Sequence, residues 1–81
     1  MKRENQQEVS PLPDKCAAII DKLIELRKTK GLTQKELAEA ANLAQPAIAR
    51  LESKMAIPQL DTLVKVATAL NYKLELVPTT K

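Results

Sequence analysis

The sequence is short of the side chains that most chemistries need. Its 81 residues include no histidine, one cysteine (Cys16) and one glycine (Gly31). Without histidine, and with Cys16 lacking a base partner, neither an activated nucleophile nor an imidazole metal site can be assembled. A phosphate-cradling loop needs several glycines. The carboxylates are scattered, and Asp61 and Glu75 have no obvious companion. No enzyme activity, cofactor or metal is therefore expected. A single cysteine also excludes an internal disulfide and fits a reducing cytoplasm. Cys16 lies on an apolar stripe and reads as a small core residue rather than a redox sensor. Trp and Phe are absent and Tyr72 is the only aromatic residue. That favours helix-on-helix packing over a sandwich, and argues against a stacking platform for single strands. No apolar run approaches a membrane span, no signal-peptide pattern opens the sequence, and there is no internal repeat.

What is present bounds the rest. A chain of this length makes one small domain, marginal for burying a core alone. Hydrophobic content is 44%, carried by Leu, Ile, Val and Ala. The net charge of +3 is compatible with nucleic acid without being diagnostic.

Three parts follow from composition and periodicity. Residues 1–13 are polar and contain Pro11 and Pro13, which reads as a flexible arm. The ordinary behaviour of termini favours a frayed segment over contact of Lys2 and Arg3 with phosphate or a minor groove. Residues 14–70 carry helical periods. Asp14 can cap a first helix that runs to about Lys30, with Cys16, Ile19, Ile20, Leu23 and Leu26 on its inner face and Gly31 closing it in the left-handed conformation. Lys22, Arg27, Lys28 and Lys30 form a mostly solvated face. Thr33 with Glu36 makes the capping-box signature of a second helix, whose apolar face is Leu37, Ala38 and Ala41. Asn42 takes the left-handed position after it, and Leu43 turns inward. A third helix starts near Gln45 and Pro46 and buries Ile48 and Leu51, leaving Gln45, Ala47, Ala49 and Arg50 outward. A fourth is expected from about Gln59 to Leu70, with Leu60, Leu63, Val64, Ala67 and Leu70 inward. Two short helices joined by so tight a turn must cross, and such a pair can enter a DNA major groove.

The motif is specific enough to indicate a family. Leu32, Thr33, Gln34, Glu36, Leu37 and Ala38 are followed by Gln45, Ile48, Arg50, Leu51 and Glu52, then by Pro58, Thr62 and Leu63. This pattern resembles the phage-repressor-like (Cro and xenobiotic-response-element) helix-turn-helix domains. The resemblance implies a mainly α, lambda-repressor-like four-helix domain that binds double-stranded DNA. It places Gln45 against a base, often adenine through a bidentate amide, and Arg50 near base edges or phosphate. Ala47 and Ala49 offer a thymine methyl contact at most. Thr33, Gln34, Ser53, Lys54 and Thr62 fall where relatives touch the DNA backbone, and Gln34 can also brace Gln45. Pro46 replaces a polar residue often found there, so the readout is thin. Arg27 and Glu52 match positions that form a partly buried structural ion pair.

Residues 71–81 depart from the many relatives that carry a fifth helix here. Tyr72, Leu74 and Leu76 alternate with Lys73, Glu75 and Val77, the period of a strand, and Pro78 ends the run. A lone strand cannot satisfy its backbone, and the nearest candidate partner, Val9 to Leu12, is interrupted by Pro11. The simplest partner is the same strand of a second copy, antiparallel about a two-fold axis, with Tyr72, Leu74 and Leu76 as dimerisation residues. Such an ending looks like that of single-domain antitoxins of the HipB and HigA kind. A homodimer would present two recognition helices about 34 Å apart and bind a palindrome. Two roles are compatible with this. One is a homodimeric transcriptional repressor. The alternative is an antitoxin that neutralises a toxin protein and autoregulates its operon.

Overall fold

The computed structural model describes residues 12–79, and its secondary structure is four helices. They are α1 (Asp14–Thr29), α2 (Gln34–Ala41), α3 (Gln45–Ser53) and α4 (Leu60–Ala69). The expected arm is outside the described residues except for Leu12 and Pro13, so the readings of Lys2, Arg3 and Val9 cannot be placed. Packing runs α1 on α3, α2 on α3 and α2 on α4. Among the described residues, no helix is long and apolar enough to cross a membrane.

Local chemistry explains most boundaries. Thr33 Oγ1 accepts the Glu36 amide at 3.0 Å while the Glu36 carboxylate accepts the Thr33 amide at 2.9 Å, which completes the capping box. Pro46 occupies the first turn of α3, where an amide would have no helical partner. Gly31, Asn42 and Asn71 sit at φ of 74°, 60° and 67° just beyond α1, α2 and α4. At each, two amides fold back on the last helical carbonyls: Leu32 to Arg27 and Gly31 to Lys28, Leu43 to Ala38 and Asn42 to Glu39, Tyr72 to Ala67 and Asn71 to Thr68. This paired closure satisfies carbonyls that a helix end leaves open.

One cap differs from expectation. Asp14 does not cap α1. Pro13 holds the cap position with an extended ψ of 152°, and its carbonyl accepts the Ala17 amide. Asp14 is instead the first helical residue, where its charge complements the helix dipole.

The core comprises Leu12, Ile20, Leu23, Leu37, Ala38, Ala41, Ile48, Leu51, Val66, Ala67 and Leu70, with Cys16, Leu26, Leu43 and Leu63 packed against it. Ile20, Leu37, Ile48, Val66 and Leu70 are almost wholly enclosed. Each such side chain contributes roughly 1.5–3 kcal/mol of burial. The inner faces of α1 and α4 are rotated from expectation. Ile19, Leu60 and Val64 are exposed, at 43%, 71% and 43%, and Val66 is buried instead. Val64 and Val66 lie about 200° apart around a helix, so both cannot face the core. The stripe Leu63, Val66, Ala67, Leu70 wins, and Leu60, at the first position of α4, projects beyond the layer it would have covered.

After Asn71 the chain continues to Thr79 without a strand ladder. Tyr72, Leu74, Leu76 and Val77 are all exposed, Leu76 completely. A strand exists only through bonds to a neighbour, and the described residues of a single chain supply none.

Candidate nucleic-acid interface

The crossing of α2 and α3 is pinned by one carboxylate. Glu52 Oε2 accepts Arg27 Nε at 2.7 Å, and Glu52 Oε1 accepts Arg27 Nη2 at 3.0 Å and Gln34 Nε2 at 3.0 Å. Arg27 Nη1 donates to the Leu32 carbonyl at 2.7 Å. A side chain from α1, one from the start of α2 and one from the end of α3 therefore meet, and the turn between α1 and α2 is tied in. The Arg27 and Glu52 side chains are only 11% and 10% exposed. This is the ion pair expected from the sequence, with a bidentate geometry that suits guanidinium and carboxylate.

Gln34 is a third member of that cluster, which the sequence did not reveal. A carboxylate with two oxygens has room for another donor, but the separation between Gln34 and Glu52 leaves no local pattern. The bond seen from Gln34 goes to Glu52 and not to Gln45. It fixes the Gln34 side chain at the first position of α2.

Ile48 and Leu51 are buried beneath α3, and this leaves Gln45, Pro46, Ala49 and Arg50 exposed and Ala47 half-buried. Neither Gln45 nor Arg50 uses its side-chain polar atoms in a hydrogen bond or ion pair among the described residues. Ala47 and Arg50 share a groove of about 320 Å³ with Thr62, the Ala56–Gln59 loop and Leu51. The structure thus brings together three of the residues singled out from the sequence, Ala47, Arg50 and Thr62, and adds Gln59. Gln59 is the cap residue of α4, and its side chain makes no cap bond.

The remaining candidates have intramolecular work. Thr33 Oγ1 is the capping acceptor but keeps its hydroxyl hydrogen. Ser53 Oγ donates to the Arg50 carbonyl at 2.7 Å and accepts the Met55 amide at 3.2 Å, which shapes the exit from α3. Lys54 is left-handed at φ 61°, and its Nζ lies 2.6 Å from Asp21 Oδ1 on α1. An outward reach of Lys54 would have to break that pair.

Comparison with known proteins agrees with this geometry. Residues 23–77 match the helix-turn-helix family model. An uncharacterized HTH-type transcriptional regulator of Haemophilus influenzae is 41% identical over 61 residues, 75% of this chain and 62% of that protein. The antitoxin HigA1 of Mycobacterium tuberculosis is 36% identical over 64 residues, 79% of this chain and 43% of that protein. The chain therefore spans less than two thirds of either relative. A solved structure described as a toxin-antitoxin module from Streptococcus pneumoniae superposes with a TM-score of 0.70 at 45% identity, covering 83% of this chain and 74% of that one.

Proposed function

The chain belongs to the helix-turn-helix family over residues 23–77, and on that premise we propose that it is a homodimeric, sequence-specific DNA-binding regulator that represses by occupying a palindromic operator. The observation that carries this reading is the outer face of α3. Gln45 and Arg50 stand exposed with unused polar atoms, on a helix whose opposite face is locked into the core. Gln45 at the start of α3 reads one base, adenine suiting its amide, and Arg50 meets a guanine edge or a phosphate. Ala47 and Ala49 add thymine methyl contact. Thr33, Gln34, Ser53, Lys54 and Thr62 carry the DNA backbone, and the tail residues Tyr72, Leu74 and Leu76 join two copies. With two long polar side chains per recognition helix, DNA shape and phosphate contacts supply a substantial share of specificity.

Selection of bound duplexes from a random double-stranded library, with Gln45→Ala in parallel, tests this. A two-fold symmetric motif is expected, and Gln45→Ala should lose about 1–3 kcal/mol of discrimination at one base position. A variant that keeps the wild-type base preference would refute the assignment of Gln45.

A second role is supported by the likeness to the Streptococcus pneumoniae toxin-antitoxin module and to HigA1. In that reading the protein neutralises a toxin protein and represses its own operon through the same DNA face. Co-expression with the product of the adjacent gene checks it. Growth arrest by that product alone, relieved by this protein, is expected; a harmless neighbour that does not bind counts against it.

A further inference from the structure

Residues 72–76 read Tyr-Lys-Leu-Glu-Leu. Tyr72, Lys73 and Leu74 line a shallow groove of about 200 Å³ with Ile19, Lys22, Leu23 and Leu26 of α1 and Ala67 of α4. Leu76, the next residue of the same parity, is fully exposed. Lys73 and Glu75 are of the other parity and exposed, 3.4 Å apart across Leu74. The tail thus lays Tyr72 and Leu74 partly on the helices, while the Lys73 and Glu75 side chains, 83% and 58% exposed, keep their charges in water although Lys73 borders the same groove.

In an antiparallel pair, residues directly opposite one another project on the same face. Two copies of this tail keep their apolar faces together only if the two-fold axis passes through a residue rather than between two. An axis through Lys73 sets lysine against lysine, and one through Glu75 sets glutamate against glutamate. An axis through Tyr72 would draw Asn71 into the ladder, but Asn71 is left-handed at φ 67°. An axis through Leu76 would draw in Pro78, which has no amide to donate. An axis through Leu74 conflicts with nothing. It sets Lys73 against the partner's Glu75 on both sides of the axis. It also sets Leu76, which has nothing beneath it, against the partner's Tyr72.

We propose that the tail pairs with the same segment of a second copy in this one register, centred on Leu74, and that the Lys73 and Glu75 charges select both register and partner. The inference rests on the dimeric reading given above and adds its geometry and its specificity device. Opposite charges facing across strands stabilise a pair and like charges weaken it. The sequence is self-complementary in this register and in no neighbouring one.

The test is sedimentation equilibrium of the full chain, as wild type, as Lys73→Glu, as Glu75→Lys, as an equimolar mixture of the two variants, and as the double exchange. Each single reversal should raise the dimer Kd about tenfold or more with the far-UV spectrum unchanged. The mixture and the double exchange should return to wild-type affinity, because each restores opposite charges across the axis. The differences should shrink at about 1 M salt, where the screening length is roughly 3 Å. A dimeric wild type whose single reversals associate equally well would overturn the register and leave the dimer standing. A wild type that stays monomeric at all concentrations would overturn both, and the duplex selection would still judge the DNA reading on its own.

Discussion

Glu52 and Asp21 each hold a cation at short range, and their surroundings decide what each pair is worth. Glu52 accepts Arg27 at 2.7 Å with both side chains about nine-tenths buried. Removing one partner of a buried pair costs about 3–5 kcal/mol, since the remaining charge is stranded. Because some exposure remains, Arg27→Met should fall at the lower end. At roughly 4–8 °C per kcal/mol for a domain of this size, Tm should drop by 10 °C or more. Arg27→Met combined with Glu52→Leu should recover part of the loss, because no charge is left unpaired. A wild-type Tm for the single variant would disprove the structural role of the pair. Asp21 approaches Lys54 at 2.6 Å, but the side chains are 58% and 32% exposed. Water competes there, so Asp21→Ala should cost less than about 1 kcal/mol by urea denaturation. The shorter contact is thus the weaker contributor.

Helix ends are where the sequence was most legible. Gly31, Asn42, Pro46 and the Thr33–Glu36 box each imply one backbone state, because a positive φ, a missing amide or a reciprocal cap leaves few alternatives. Gly31 gives a clean measurement. A Cβ built on it meets nothing within 4 Å, while its φ is +74°. Gly31→Ala should therefore cost about 1–2 kcal/mol through backbone strain alone, readable from the denaturation midpoint. Asn42→Gly should be neutral or slightly stabilising, since glycine takes the same conformation without a Cβ; a large loss there would mean that the Asn42 side chain does more than tolerate the turn. Helix rotation was less legible. In α4 the run Leu60, Leu63, Val64, Val66, Ala67 offers two apolar stripes, and only packing against the other helices selects Val66 over Val64. Long-range polar partners were not legible at all. Nothing local marks Gln34 for Glu52, and nothing marks Lys54, in a conformation that usually takes glycine, for Asp21. In the candidate interface the exposed face of α3 was therefore foreseen, whereas the bonds that hold Gln34 and Lys54 were not.

For the whole molecule, the arrangement of charge limits how the protein can hold DNA. The net charge is only +3, and four of the five residues proposed for the DNA backbone, Thr33, Gln34, Ser53 and Thr62, are neutral. The charged contributors per protomer are Arg50 and Lys54, and Lys54 is engaged by Asp21. Each phosphate neutralised by a cation contributes about −0.9 to the slope of log K against log salt concentration. A dimer using Arg50 alone should give a slope near −2, and one that also frees both copies of Lys54 a slope near −4. Fluorescence anisotropy on the selected duplex between about 50 and 200 mM salt resolves that range. Asp21→Asn should move the slope toward the steeper limit and tighten binding at low salt, because the attraction of the Asp21 carboxylate for Lys54 is removed. A wild-type slope steeper than about −6 would require other lysines or arginines in the contact. That would overturn the view that recognition here depends on few charges, with neutral hydrogen bonds and DNA shape supplying the rest.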